Sequence, residues 1–401
     1  MSWSRKKHLC RYKCLTCVLV WSSLRAVDSW MSNGGHPRIF TGGTVTDFTP
    51  GPLLTATKQF PTVLWNDSSD LEELRQSISF GGVGATCNPV IAYTTISKHP
   101  EIWNDRIKAI ADANPTWGES EIGWRAVKDM SVEAAKLLES TFEEHKGRNG
   151  RLSVQTDPRF HRDAKALADQ AEEFHNLAPN IVVKIPATKV GLEAIEEATY
   201  RGVSINVTVS FTVAQCVKAG EAIERGLKRR EAEGHDVSQM GPVVTLMVGR
   251  LDDWLKHVVA RDRIFIDPSA LEWAGVAAMK KVYKIFQERG FRARPLVAAF
   301  RNVLQWSEFQ GADMVVSPPF KWQEIVNASD YEPVSRIDVP VDEYYLEQLR
   351  RIPDFRRAYD EDGMTVEEFE DFGATRKTLR QFLQADADLD ALVRDIIVPA
   401  P

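Results

Sequence analysis

Eight short runs of β-branched and apolar residues, separated by longer stretches of helical period, constrain this chain more than any other feature. They are Thr62–Asp67, Val83–Cys87, Arg151–Thr156, Asn180–Ile185, Val203–Val209, Pro242–Met247, Pro295–Ala299 and Asp313–Ser317. Such alternation is the signature of βα units repeated around a parallel sheet, and eight strands are what a (β/α)8 barrel needs to close. The intervening segments have the right pattern. Lys189–Arg201 sets Leu192, Ile195 and Ala198 on one stripe and stops at Gly202, while Leu271–Arg289 turns Trp273, Val276, Met279, Val282 and Phe286 one way and stops at Gly290. A glycine just past the last turn suits the left-handed conformation that ends many helices.

The α/β expectation is therefore a single (β/α)8 TIM barrel over residues 51–330, with a helical insertion over 97–150 after the second strand and a helical extension over 331–401 packed on the barrel. A chain of 401 residues permits two domains, but the tail offers helices rather than a second set of strands. Its segment Asp342–Phe369 is rich in acids and reads as a solvated helical face.

Residues 1–50 stand apart and read as a leader, disordered or not native. Arg5-Lys6-Lys7 followed by the apolar run Cys14–Trp21 imitates a signal peptide, but no small-residue cleavage site follows, and Met31 offers a second start. Cys10, Cys14 and Cys17 have a spacing that can bind an iron–sulfur cluster, but too little chain precedes them to supply a scaffold strand. With only five cysteines, the chain reads as a protein of a reducing compartment, here the cytoplasm.

Composition narrows the function. A net charge of -6 without a basic stripe gives no footprint for nucleic acid, and no apolar run is long enough to span a bilayer. The histidines show no metal-binding spacing, and Gly81-Gly-Val-Gly84 matches neither the phosphate-loop nor the dinucleotide pattern, so no metal and no cofactor is implied. Small molecules are the expected partners, with the chain acting as a monomer or homodimer.

In a barrel of this kind the reacting groups project from the C-terminal ends of the strands. The polar residues there are Asp67, Asn88, Gln155, Lys184, Asn206 with Thr208, Thr245, Arg250 and Arg301. Lys184 is the most informative, because it interrupts the apolar run Ile181–Ile185. Facing the barrel centre it would be desolvated, its pKa would fall, and its neutral amine could attack a carbonyl to form a Schiff base. Alternatively, it snorkels to solvent or pairs with Asp67. Aldol cleavage through a Schiff base also needs a base for the departing hydroxyl proton, donors for sugar hydroxyls and a water relay. Asp67 can serve as the base, Asn88 and Asn206 as donors, and Thr208 with Gln155 can hold the water.

Six stretches in order resemble the transaldolase family: Gly84–Pro89, Leu152–Arg159, Val183–Thr188, Ile205–Val209, Val248–Arg250 and Ala299–Asn302. The long insertion and acidic tail are similar to its longer bacterial members. The resemblance implies transfer of a dihydroxyacetone unit between sugar phosphates in the pentose phosphate pathway. Lys184 would form the Schiff base, Asp67 would be the acid/base, Asn88 and Asn206 would bind donor hydroxyls, and Arg250 and Arg301 would clamp the phosphate. Three positions depart from the pattern: Gln155 replaces a glutamate, Met247 a phenylalanine, and Ala299 a serine that is common there. The related fructose-6-phosphate aldolases do carry a glutamine at the first position but a tyrosine at the second. An aldolase of that type, a transferase for another ketose, and a catalytically silent binding barrel therefore stand as alternatives.

Overall fold

The computed structural model describes residues 51–401. The expectations for residues 1–50, including Cys10, Cys14, Cys17 and Met31, lie outside them.

Eight parallel strands close in sequence order: β1 (Val63–Asn66), β2 (Gly82–Thr86), β3 (Arg151–Gln155), β4 (Ile181–Pro186), β5 (Ile205–Thr208), β6 (Val243–Leu246), β7 (Arg294–Ala298) and β8 (Val315–Ser317). Closure is made where Val63 and Leu64 of β1 pair with Val315 and Val316 of β8. The fold is thus the (β/α)8 barrel that the eight runs predict. The parallel strands are buried on both faces, which explains why they read as continuous apolar runs rather than alternating ones. Trp65, Val182, Val243, Leu296 and Val315 fill the barrel. On the next strand, a Cβ at Gly84 would fall 2.5 Å from Trp65 Nε1, so glycine makes room for the indole.

A larger apolar layer, including Leu64, Leu152, Ile185, Ile205 and Val297, packs against the helices. Helix Lys189–Tyr200 is followed by Gly202 at φ +98, and helix Ala274–Arg289 is capped by Gly290 at φ +63, the two places where the sequence calls for left-handed backbone.

The segment after β2 forms helices Pro89–Lys98, Pro100–Ala113, Glu119–Lys136 and Glu139–Glu144. Apolar residues of the first three join Leu389 and Val393 of the last helix, Gly373–Ile397, around Ile107, Ala126, Val127 and Met130. The insertion and the tail therefore meet beside the C-terminal ends of β2 and β3. The acidic stretch from residue 342 forms helices Glu343–Arg350 and Pro353–Tyr359, which are amphipathic: Leu346, Leu349, Phe355 and Ala358 are buried. Among the described residues, no helix is long and apolar enough to cross a membrane.

One cap ties the insertion to the barrel. Asp70 accepts hydrogen bonds from the backbone N–H groups of Glu72 and Glu73 at 2.9 and 3.2 Å, and pairs with Lys98 and His99 at 3.0 and 2.8 Å. Burial works to raise its pKa, but the bonds from His99, Lys98 and the backbone prevail and hold it at about 2. The folded-state pKa is below the unfolded one, so the cap stabilises above the ordinary carboxylate range and is lost as pH falls toward 2. Thermal melts should show Asp70→Asn costing about 1–2 kcal/mol at neutral pH and little near pH 2.

Candidate active site

The inward side chains at the strand ends converge on Lys184. Register sets it level with Gln155 on β3 and Asn206 on β5, so the three share one interior row. Lys184 is 5% exposed. Burial pulls its pKa down and Arg250 adds to the effect, while Asp67 and Cys87 act the other way. An amine so placed spends more of its time neutral than a surface lysine does, the condition for nucleophilic attack. At this exposure the ammonium is not in bulk solvent, as snorkelling would require.

Asp67 lies just past β1, half-buried, and accepts a hydrogen bond from Thr86 Oγ1 at 2.6 Å. Asn206 is fully buried. Its Nδ2 donates to Ser153 Oγ at 2.9 Å and its Oδ1 accepts from Thr245 Oγ1 at 2.7 Å, which fixes the amide and leaves the second N–H of Nδ2 to donate elsewhere. Thr245 therefore orients Asn206. Asn88 caps helix Pro89–Lys98, its Oδ1 accepting from Val90 and Ile91 N–H at 3.0 and 3.1 Å, so its Nδ2 remains as a donor. Thr208 is buried, and among the described residues its hydroxyl meets only the weak acceptor Sδ of Met247, at 3.9 Å. Gln155 Oε1 is buried with no hydrogen-bond partner among the described residues.

The arginines lie apart from the strands. Arg250 is in the first turn of helix Val248–Asp262, and Arg301 is in the loop after β7; the sequence had counted both as strand ends. They face each other across a cavity of about 220 Å³, also lined by Asp253, Lys377, Thr378 and Gln381. Arg250 Nη1 donates to Thr378 Oγ1 at 3.2 Å and to Gln381 Oε1 at 2.7 Å, and its guanidinium lies over the Phe382 ring. Burial, with Arg301 nearby, lowers its pKa to about 10, so it stays charged at neutral pH. Arg301 pairs with Asp253 at 2.8 Å and donates from Nη1 to the carbonyls of Ala299 and Phe300. Two arginines, a lysine and a helix N-terminus are an arrangement that can hold an anion, which would compete with Asp253 for Arg301.

The backbone is arranged for this approach. Ala299 at φ +64 and Val209 at φ +51 are left-handed without being glycine, a conformation worth about 1–3 kcal/mol of strain, and they flank Arg301 and Thr208. At Gly249 a Cβ would fall 1.9 Å from the Ala299 carbonyl oxygen. Gln305 holds the Arg301 loop, accepting from Arg301 N–H at 2.5 Å and donating to Asp252 Oδ2 at 2.6 Å. Burial pushes the Asp252 carboxyl up to about 8.

Sequence reasoning missed Ser153, Asp253, Lys377, Thr378 and Gln381. The last three sit on a helix more than 120 residues past Arg250, and no local pattern distinguishes them from other polar residues on an amphipathic helix.

A closed barrel that gathers its buried polar groups at the C-terminal ends of its strands, beside a paired-arginine cavity, defines a (β/α)8-barrel enzyme. The chain belongs to the Transaldolase/Fructose-6-phosphate aldolase family, which matches residues 64–388. "Transaldolase" of Thiobacillus denitrificans is 26% identical over 339 residues, 80% of this chain and 91% of that one. "Transaldolase 1" of Streptomyces avermitilis is 31% identical over 209 residues, 51% of this chain and 54% of that one. "Transaldolase 1" of Streptomyces coelicolor is 32% identical over 188 residues, 46% and 48% of the two chains. The match thus spans about half the length of the Streptomyces relatives.

Proposed function

We propose that this protein is a metal-free transaldolase of the cytoplasm, transferring a dihydroxyacetone unit from sedoheptulose 7-phosphate or fructose 6-phosphate to an aldose phosphate in the pentose phosphate pathway. The observation that carries this is Lys184, a buried lysine level with Gln155 and Asn206 inside the barrel. Its amine adds to the donor's ketone, and loss of water from the carbinolamine leaves an iminium that accepts the electrons of the breaking carbon–carbon bond. Asp67 takes the proton of the neighbouring hydroxyl as that bond breaks. The free N–H groups of Asn88 and Asn206 hold donor hydroxyls. Arg250 and Arg301 hold the phosphate, with Lys377 adding charge. The aldose phosphate leaves, an acceptor aldehyde takes its place, and the steps run backward to release product. Two buried free thiols, Cys87 and Cys216, suit a reducing compartment.

A fructose-6-phosphate aldolase reading draws on Gln155 and on the Thr208 hydroxyl facing Met247 rather than a strong hydrogen-bond partner. Coupled assays of fructose 6-phosphate with and without erythrose 4-phosphate separate the readings. Transfer requires donor consumption only when the acceptor is present. Free dihydroxyacetone without acceptor marks an aldolase, and no consumption in either arm marks a silent barrel.

The arginine cavity makes its own prediction. Arg250→Gln should raise KM for fructose 6-phosphate by about 10- to 100-fold, the worth of one charge-assisted contact of about 1.5–3 kcal/mol. In steady-state kinetics on fructose, kcat/KM should fall far less.

A further inference from the structure

Arg250 and Arg301 can grip one anion only if the helix that carries the first and the loop that carries the second hold a fixed relation. The loop has no regular secondary structure between Ala298 and Leu304. It leaves β7 through Ala299 at φ +64, and the Arg301 stem lies close over Gly249, where a Cβ would fall 2.7 Å from Arg301 Cγ.

A chain of three hydrogen bonds ties this loop to the helix. Asp252 stands two residues past Arg250, fully buried and outside the lining of the arginine cavity. Its Oδ1 accepts from the N–H of Gly275 at 2.8 Å, in the first turn of helix Ala274–Arg289, where the cap residue Trp273 supplies no side-chain acceptor. Its Oδ2 accepts from Gln305 Nε2 at 2.6 Å, and Gln305 Oε1 accepts from the backbone N–H of Arg301 at 2.5 Å. Gln305 is buried as completely, so a donor left without an acceptor along this chain is costly.

Given the phosphate clamp proposed above, we propose that Asp252 is its positioning residue: by accepting at both oxygens it sets the direction of the hydrogen-bond chain and so fixes the Arg301 loop against the helix that bears Arg250. The chain has backbone donors at both ends, the N–H groups of Gly275 and Arg301, and neither can be reversed. Gln305 must therefore present its oxygen to Arg301 and its N–H to Asp252, which must then accept twice. A carboxylate does so, whereas an amide in its place would set a donor against a donor. Asp252 does not line the cavity and acts through Arg301 alone.

The protonation state of this carboxyl sets the conditions of the test. Burial raises it to about 8, with Glu272 and Asp253 adding to the effect and the Gly275 N–H and Lys256 opposing it. Measurements at about pH 9 therefore read the carboxylate.

The test is titration calorimetry of the full chain with inorganic phosphate, beside steady-state kinetics on fructose 6-phosphate and on fructose, all at about pH 9. Asp252→Asn should weaken phosphate binding and raise KM for fructose 6-phosphate by about tenfold each, the effect of one buried donor left unpaired. In the same variant kcat for fructose 6-phosphate and kcat/KM for fructose should stay within about threefold of the natural protein. Asp252→Asn/Gln305→Glu reverses the chain at constant charge: the new carboxylate at 305 accepts from Arg301 N–H and from the new amide at 252, whose oxygen takes the Gly275 N–H. Phosphate binding should return to within about threefold of the natural protein. Gln305→Met, which keeps Asp252 on the Gly275 N–H and cuts only the link to Arg301, should match the loss in Asp252→Asn and covers the case in which that variant does not fold. Undiminished phosphate binding in folded Asp252→Asn or in Gln305→Met, no recovery in the double variant, or an equal fall in kcat/KM for fructose would each overturn the positioning role. A natural protein that binds no phosphate would overturn the clamp and the role of Asp252 together. One that binds phosphate but turns over neither sugar would instead overturn the transaldolase reading, and the calorimetry alone would then decide on Asp252.

Discussion

Lys184→Ala is expected to abolish transfer, lowering turnover by at least about 10⁴-fold, because no other group can form the covalent intermediate that divides the reaction into two easier halves. Lys184→Arg should be equally inactive, since a guanidinium stays protonated and cannot attack a carbonyl. The loss should come without unfolding. Burial lowers the Lys184 pKa in the folded state, so the lysine carries a stability penalty at neutral pH that falls away as pH rises toward its ordinary value. Lys184→Ala removes that penalty, and its melting temperature should equal or exceed that of the natural protein. Coupled kinetics beside thermal melts check both halves. Turnover within tenfold of the natural protein would remove Lys184 from the chemistry.

Asp67→Asn should separate the two halves of the reaction. The asparagine can still accept the hydrogen bond that Thr86 Oγ1 gives Asp67 at 2.6 Å, so the strand end should keep its shape. What is lost is the base that receives the hydroxyl proton during carbon–carbon cleavage, a contribution of about 10²- to 10⁴-fold. The expected result is a steep fall in kcat while borohydride still traps donor on the enzyme, because the Schiff base forms upstream of the blocked step. Equal loss of adduct and turnover would place Asp67 in iminium formation instead.

What the sequence reveals and what it hides follow from one physical distinction. Strands β3 to β6 are buried on both faces, so a polar residue inside such a run has one place to go, the barrel interior. That makes Gln155, Lys184, Asn206 and Thr245 legible from their runs alone, and Lys184 most of all, since an ammonium cannot face the helical layer. Asn88 was legible as a strand-end polar group, although its capping of the next helix is apparent only in the structure. The boundary of β6 was drawn one residue late, because Met247 continues the apolar run while serving as the N-cap of the following helix. The helix that begins at Val248 then holds Arg250 in its first turn.

The contributions of the C-terminal helix belong to another category. Thr378, Gln381 and Asp386 reach the barrel because Phe369, Phe372 and Phe382 bury themselves against it, and the apolar spacing of those residues says that the helix docks somewhere. It does not say where. The one helix carries Thr378 and Gln381 to Arg250 and, one to two turns on, Asp386 to a small cavity that Gln155 also lines.

The most direct measurement is borohydride reduction of the full chain in the presence of fructose 6-phosphate, followed by intact mass and peptide mapping. A single reduced dihydroxyacetone unit on the peptide containing Lys184 is the expected result. No adduct, or an adduct on any other lysine, would contradict the assignment of Lys184 as the residue that carries the substrate.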